Sequence, residues 1–342
     1  MMEVLSSGAL NTVQDLGRYG YRKIGLTVAG AMDKLALAAG NLLLGNHVNC
    51  AGIEVTIFPF RVRFDADTKI AITGADCAAE IDGEPLLPWW VASVCRGQVL
   101  SLSMPARGCR AYLVLRGGID VPLVLNSRST DLKTKFGGHD GRSLRKGDRL
   151  ALLAGNDDAS PDAWTGGYGL EPPHVALPFS GSVEGTVAVR VLPAAEYEKF
   201  SEAGRAQFWG GRWLITPNSN RQGYRLAGAA LPMSGQSELL SHGLVPGIIQ
   251  VPSSGQPIIQ MSDANTSGGY PKIGTVIEAD LWRLAQARVA DSLHFVQTTV
   301  ADAIAALAAE RAWLQKIEAG VALLEFGNDP DKRKTRLHAS SK

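Results

Sequence analysis

The sequence predicts a mostly β fold with a few helices, arranged as two domains. Three observations carry that expectation. The chain has 342 residues, more than one domain of about 100–200 residues requires. Its 38 glycines and 17 prolines imply many turns and favour short strands. Period-two apolar alternation recurs along the chain, whereas helical spacing is confined to three stretches. Hydrophobic residues make up 45% and charged residues 20%, which excludes a disordered or fibrous chain. Lys and Arg number 34 against 33 for Asp and Glu, so no global field draws the molecule to nucleic acid or to an anionic membrane.

The N-terminal domain is expected over residues 1–155. Its one helix spans 33–44, with Asp33 as the cap, Leu35, Leu42 and Leu43 at helical spacing, and a stop at Gly45-Asn46. Strands are predicted over 69–73, 98–104, 111–115 and 149–153. Asp82-Gly83 after Ile81 is a hairpin signal, and Lys146-Gly147-Asp148 is a second tight turn. Residues 156–185, rich in Asn, Asp, Gly and Pro without apolar periodicity, read as a linker.

The C-terminal domain is expected over 186–327, with strands at 187–192, 213–216 and 293–298. Residues 247–252 and 257–262 read as a strand pair joined by Ser253-Ser254-Gly255-Gln256. Helices are predicted over 278–287 and 301–324, the second closing the domain. The basic stretch 328–342, with Lys332, Arg333, Lys334 and Arg336, reads as a disordered tail. Arg18-Tyr19-Gly20-Tyr21-Arg22 and Arg221-Gln222-Gly223-Tyr224-Arg225 share four of five positions, a degree of self-similarity that chance produces roughly once in a chain of this length.

Cys50, Cys77, Cys95 and Cys109 form no C-x-x-C pair and sit among apolar residues, so buried reduced thiols are expected. No basic leader with an apolar core opens the chain, and no apolar run reaches about 18 residues; the expectation is a cytoplasmic protein. The six histidines are scattered, without H-x-H or H-E-x-x-H pairing, so no metal site is predicted. No P-loop, no G-x-S-x-G elbow and no strand-linked G-x-G-x-x-G occur.

Three segments could carry chemistry. Thr12-Val13-Gln14-Asp15-Leu16-Gly17-Arg18 couples a glycine-punctuated loop to a guanidinium that forks onto carboxylate or phosphate. Asn126 to Asp131, followed by Phe136 to Arg142, gathers hydroxyls, arginines and glycines suited to cradling an oxyanion. Arg221 to Tyr270 is the densest: Gln250 and Gln260 lie among β-branched residues, and Asp263-Ala264-Asn265-Thr266-Ser267-Gly268-Gly269-Tyr270 is a polar loop at a strand end. Asp263 is its candidate general base.

At these same segments the chain resembles the biotin-dependent carboxyltransferase family, also called allophanate hydrolase subunit 2. The matching stretches are T-V-Q-D-L-G-R, G-A-M-D, S-R-S-T-D-L, F-G-G-x-x-G-R, N-R-x-G-Y-R-L, S-H-G-L-V-P-G-I-I-Q-V-P and Q-P-I-I-Q-M-S-D-A-N-T-S-G-G-Y-P-K-I, running from Glu3 to about Ala306. Asn126 stands where the family pattern has Gly. The resemblance implies two cyclophilin-like β-barrel domains. It also implies an ATP-dependent enzyme assembled with partner subunits A and B, which opens the lactam of 5-oxo-L-proline to give L-glutamate, ADP and phosphate. Phosphorylating a lactam oxygen would turn it into a leaving group for attack by water. ATP is expected at the level of the complex, and no covalent biotin on this chain, which lacks M-K-M.

Within the matching blocks, Asp263 and Arg221 are the expected catalytic residues. Arg18, Arg128, Thr130, Arg142, Arg225, Gln250, Gln260, Thr266 and Tyr270 are expected to bind substrate. Two alternatives follow from the same resemblance: a carboxyltransferase component acting on urea or another amide with a separate biotin carrier, and a non-catalytic regulator that binds a histidine-kinase inhibitor.

Overall fold

The computed structural model describes residues 1–153, 167–179, 185–234 and 239–328. Its N-terminal half holds β1 (Met2–Ser6), β2 (Thr12–Gln14), α1 (Lys34–Leu43), β3 (Gly52–Val55), β4 (Phe60–Phe64), β5 (Thr68–Asp76), β6 (Glu80–Ile81), β7 (Glu84–Pro85), β8 (Trp90–Val94), β9 (Val99–Leu102), β10 (Arg107–Leu115), β11 (Ile119–Asp120) and β12 (Arg149–Leu152). They build a seven-stranded sheet, β11-β12-β1-β4-β9-β6-β7, and a five-stranded sheet, β2-β3-β10-β5-β8. The two share one core that includes Val4, Phe60, Val62, Phe64, Ile53 and Leu113. In β4 the sequence F-R-V-R-F alternates buried and exposed, because successive side chains point to opposite faces. Asp82 and Gly83 both take positive φ, 51° and 90°, as the two-residue turn between β6 and β7 requires.

The predicted first helix is α1. Asp33 caps it, accepting from Ala36 N at 2.8 Å, and its buried face includes Leu35, Leu37 and Leu43. The helix packs on β5 and β10. Short helix α2 (Pro173–Ala176) follows, and residues 168–170 bond to the chain around Trp89 and Val91. Most of the expected linker, residues 156–166 and 180–184, lies outside the described residues, as does the tail 329–342.

The C-terminal half contains β13 (Val187–Pro193), α3 (Glu202–Gly210), β14 (Trp213–Ile215), β15 (Gly223–Ala227), β16 (His242–Gly243), β17 (Ile248–Gln250), β18 (Ile258–Gln260), β19 (Ser267–Gly268), β20 (Lys272–Val276), α4 (Leu281–Gln286), β21 (Ser292–Gln297) and α5 (Val300–Asn328). Seven strands close a barrel in the order β13-β20-β17-β18-β15-β14-β21, with β16 and β19 forming a separate ribbon. β17 and β18 are the predicted strand pair. Helix α3, with two glycines in nine residues, gave no helical signal; Ser201 caps it and Phe208 inserts into the barrel core.

Helix α5 does more than close its own domain. It lies along α1, and Ile317 and Val321 join Ala36, Leu37 and Leu43 in one apolar cluster. The four-of-five sequence repeat has no common conformation: Arg22 opens a 3-10 turn, whereas Gly223-Tyr224-Arg225 enters strand β15. Of the cysteines only Cys77 is buried; Cys95 is exposed and Cys50 and Cys109 are partly so. Cys95 lies just past the end of β8, in the turn to β9, where the strand's last buried residue is Val94.

Candidate functional site at the end of the C-terminal barrel

The first two predicted segments meet, but they bind each other. Asp15 accepts from Ser127 Oγ at 2.8 Å and from Arg128 N at 2.6 Å, and Thr130 Oγ1 donates to Val13 O at 2.9 Å. Arg18 is fully buried, donating to Val124 O at 3.1 Å and Ser129 O at 3.0 Å, with its guanidinium 4.4 Å from the Phe136 ring centroid. Arg128 Nε donates to Val121 O at 3.1 Å. Arg142 forks onto Asp148 at 2.7 and 2.8 Å. Each of Arg18, Arg128, Thr130 and Arg142 thus makes hydrogen bonds within the protein, as buried donors generally do, while Arg18 Nη1 is left without a partner among the described residues. Asn126 adopts φ 59°, the left-handed region that Gly fills freely and Asn tolerates best among side-chain-bearing residues.

Arg221 and Asp263 are brought together in a second, denser web that ties the two halves. Arg221 Nε and Nη2 donate to Asp263 at 2.9 and 3.0 Å, Nη2 also reaches Gly30 O at 2.6 Å, and Nη1 donates to Glu54. Glu54, fully buried on β3, also accepts from Tyr112 Oη and Met32 N, both at 2.7 Å. Arg110 donates to Tyr224 Oη at 2.9 Å and lies 4.0 Å from Glu54. Burial alone would push the Glu54 carboxyl up, but the Arg221 and Arg110 guanidiniums hold it below the usual range. For Asp263 burial outweighs Arg221 and raises it. With both oxygens engaged and 5% exposure, Asp263 is held beneath its loop, its carboxylate paired with Arg221 rather than open to solvent. Glu54, Arg110 and Tyr112 escaped sequence reasoning; the only signal was a charge inside an apolar strand pattern.

The third segment divides. Arg225 points outward from the barrel and is exposed. Gln250 and Gln260 are buried and joined, Gln260 Nε2 donating to Gln250 Oε1 at 3.0 Å, and Gln250 Nε2 donating to Tyr270 O at 3.3 Å. Gln250 pairs in register with Lys272, which brings an unpredicted group to the same barrel end. Lys272 Nζ contacts His242 Nε2, and Glu196 accepts from Lys272 N at 3.0 Å. His242 belongs to the ribbon with Gly268, and Thr266 O accepts from Leu244 N at 3.0 Å. Tyr270 is 52% exposed. Lys133 Nζ reaches across from the second segment to Asn265 Oδ1 at 2.9 Å.

Beside this end, between the halves, lies a cleft of about 650 Å³ walled by Met32, Leu35, Met261, Leu281, Ile304 and Leu307. Its two cations are engaged: Lys34 Nζ donates to Tyr19 Oη at 2.6 Å and Arg22 to Leu244 O. Glu310, also on its wall, is pushed up to about 7 by burial, with Asp33 and Glu278 adding to the effect. Among the described residues no group of three or more His, Cys, Asp or Glu is placed to hold a metal ion.

The family model described as carboxyltransferase domain, subdomain A and B, matches residues 24–297. The chain belongs to that family. It is 40% identical to the C subunit of 5-oxoprolinase from Escherichia coli (strain K12) over 317 residues, which are 93% of this chain and 97% of that protein. It is 39% identical to the corresponding 5-oxoprolinase C subunit of Haemophilus influenzae, over 89% and 93% of the two chains. The crystal structure of the Kluyveromyces lactis urea carboxylase superposes with TM-score 0.83 at 29% identity, covering 94% of this chain and 29% of that one. The mostly β fold of this family member thus recurs in the urea carboxylase. No helix among the described residues is long and apolar enough to cross a membrane.

Proposed function

We propose that this carboxyltransferase-family chain is one subunit of an ATP-dependent 5-oxoprolinase. In complex with subunits A and B it would hydrolyse the lactam of 5-oxo-L-proline to L-glutamate, with ADP and phosphate as co-products. The observation that carries the reading is the 40% identity to a 5-oxoprolinase subunit over 97% of its length. The barrel end supplies the binding groups, with Gln250, Gln260, Thr266 and Tyr270 around it. The Arg221–Asp263 pair acts as a positioning strut that fixes the loop from Asp263 to Tyr270. The cleft's largely apolar walls and its Glu278 carboxylate are a poor match for a triphosphate. Nucleotide binding is accordingly assigned to the other subunits, and no step is routed through ATP here.

The test is ATP-dependent glutamate release from 5-oxoproline by this chain mixed with its A and B subunits, against each omission. Turnover that needs all three is expected; turnover undiminished without this chain, or none with all three, overturns the reading. A second reading, carboxyl transfer to an amide from a separate biotin carrier, is favoured by the likeness to urea carboxylase. Amide-dependent loss of the carboxyl group from a carboxylated carrier would support it.

A further inference from the structure

Lys272 is 5% exposed, yet its ammonium has no carboxylate within 4 Å among the described residues; its hydrogen-bond partner is His242 Nε2. An imidazole accepting a hydrogen bond from an ammonium is neutral and returns no charge, so the desolvation of the cation is offset only at a distance, by Glu196. Glu196 is the nearest acid, but one of its oxygens is held by the Lys272 backbone N–H at 3.0 Å and the other faces His242 Nε2 at 3.7 Å. Neither contact pairs the carboxylate with Nζ. Burial lowers the Lys272 pKa, with Glu196 opposing. Solvent reaches the cluster past the exposed His242 ring and Tyr270. Gly268 packs closely over Gln250, since a Cβ there would stand 2.9 Å from Gln250 Nε2.

We propose that Lys272, with His242 and Glu196 orienting it, binds the carboxylate of a small amide-bearing acid. The ligand brings the counter-charge that the fold withholds, in a partly desolvated setting where a charge-assisted hydrogen bond is strongest. Taking 5-oxoproline as the occupant rests on the function proposed above; the anion site itself does not.

The experiment is calorimetric titration of the full-length chain with 5-oxo-L-proline, acetate and uncharged 2-pyrrolidinone, for wild type, Lys272→Met, Lys272→Arg and His242→Gln. Wild type should prefer 5-oxoproline to 2-pyrrolidinone by roughly tenfold or more, equivalent to about 1.4 kcal/mol. Lys272→Met should abolish that preference and Lys272→Arg should keep part of it. If Lys272→Met does not fold, His242→Gln, at a half-exposed ring, should still weaken carboxylate binding several-fold. Equal affinity of wild type for the acid and the neutral lactam, no carboxylate binding at all, or an unchanged preference in both Lys272→Met and His242→Gln would overturn the inference. Carboxylate-selective binding without turnover by the three-subunit mixture would retain this site and refute the proposed reaction. Turnover with an unchanged KM in Lys272→Met would do the opposite.

Discussion

Arg221 and Lys272 are both buried cations of the C-terminal barrel, and they have opposite surroundings. Arg221 meets Asp263 twice, Glu54 and the Gly30 carbonyl; Lys272 meets one imidazole. A guanidinium whose donors are consumed by fixed acceptors has nothing left for a ligand, so its work is to lock two halves in register. An ammonium held away from the nearby acid keeps donors free. Charge in a binding motif therefore says little until its partners are known.

The largest expected effect of breaking this contrast is at Arg221. Arg221→Met leaves Glu54 and Asp263 buried without their cation and should lower unfolding free energy by about 3–5 kcal/mol, measured by urea denaturation. Loss of turnover in that variant would then reflect lost structure, unlike the clean catalytic loss expected from the motif alone. Glu54→Gln comes next, at about 2–3 kcal/mol, because Tyr112 and Met32 N keep an acceptor while Arg221 and Arg110 lose a charge. Lys272→Met should shift stability by no more than about 1 kcal/mol in either direction, since it removes a cation with no directly paired carboxylate. A loss as large as that of Arg221→Met would erase the distinction between the two residues.

A pH-dependent counterpart is Glu310, an acid whose burial and neighbouring acids outweigh the nearby Arg311. Its carboxyl is raised from 4.5 to about 7, so the folded state holds the proton more tightly than the unfolded chain. The contribution to stability is complete below pH 4.5 and is lost as pH rises through 7. Glu310→Gln should flatten that part of the stability-versus-pH curve, read from denaturation midpoints between about pH 4.5 and 8. An unchanged slope would show that the cleft wall is wetter than its burial implies.

Much of the fold was legible. Asp33 announced α1, Asp82-Gly83 its hairpin, and the β17–β18 pair its alternation, because caps and turns are local and their residue types are chemically demanding. Helix α3 was not, since its stability comes from Phe208 entering the barrel core rather than from propensity. The site was legible as segments but not as roles. Gln250, Gln260, Thr266 and Tyr270 do gather at one end of the barrel, whereas Arg18, Arg128 and Arg142 turned out to serve the protein's own carbonyls and carboxylates.

The sequence by itself determined the class of fold, the polar segments and the family, because periodicity, turn chemistry and long ordered motifs are properties of the chain read in order. Only the tertiary structure decided which charges are satisfied. Glu54 and Arg221 are 167 residues apart and their partners come from different halves, while Lys272 meets His242 through a ribbon and a barrel strand thirty residues apart. Pairing over such separations depends on how the sheets close and pack, and no local pattern encodes it.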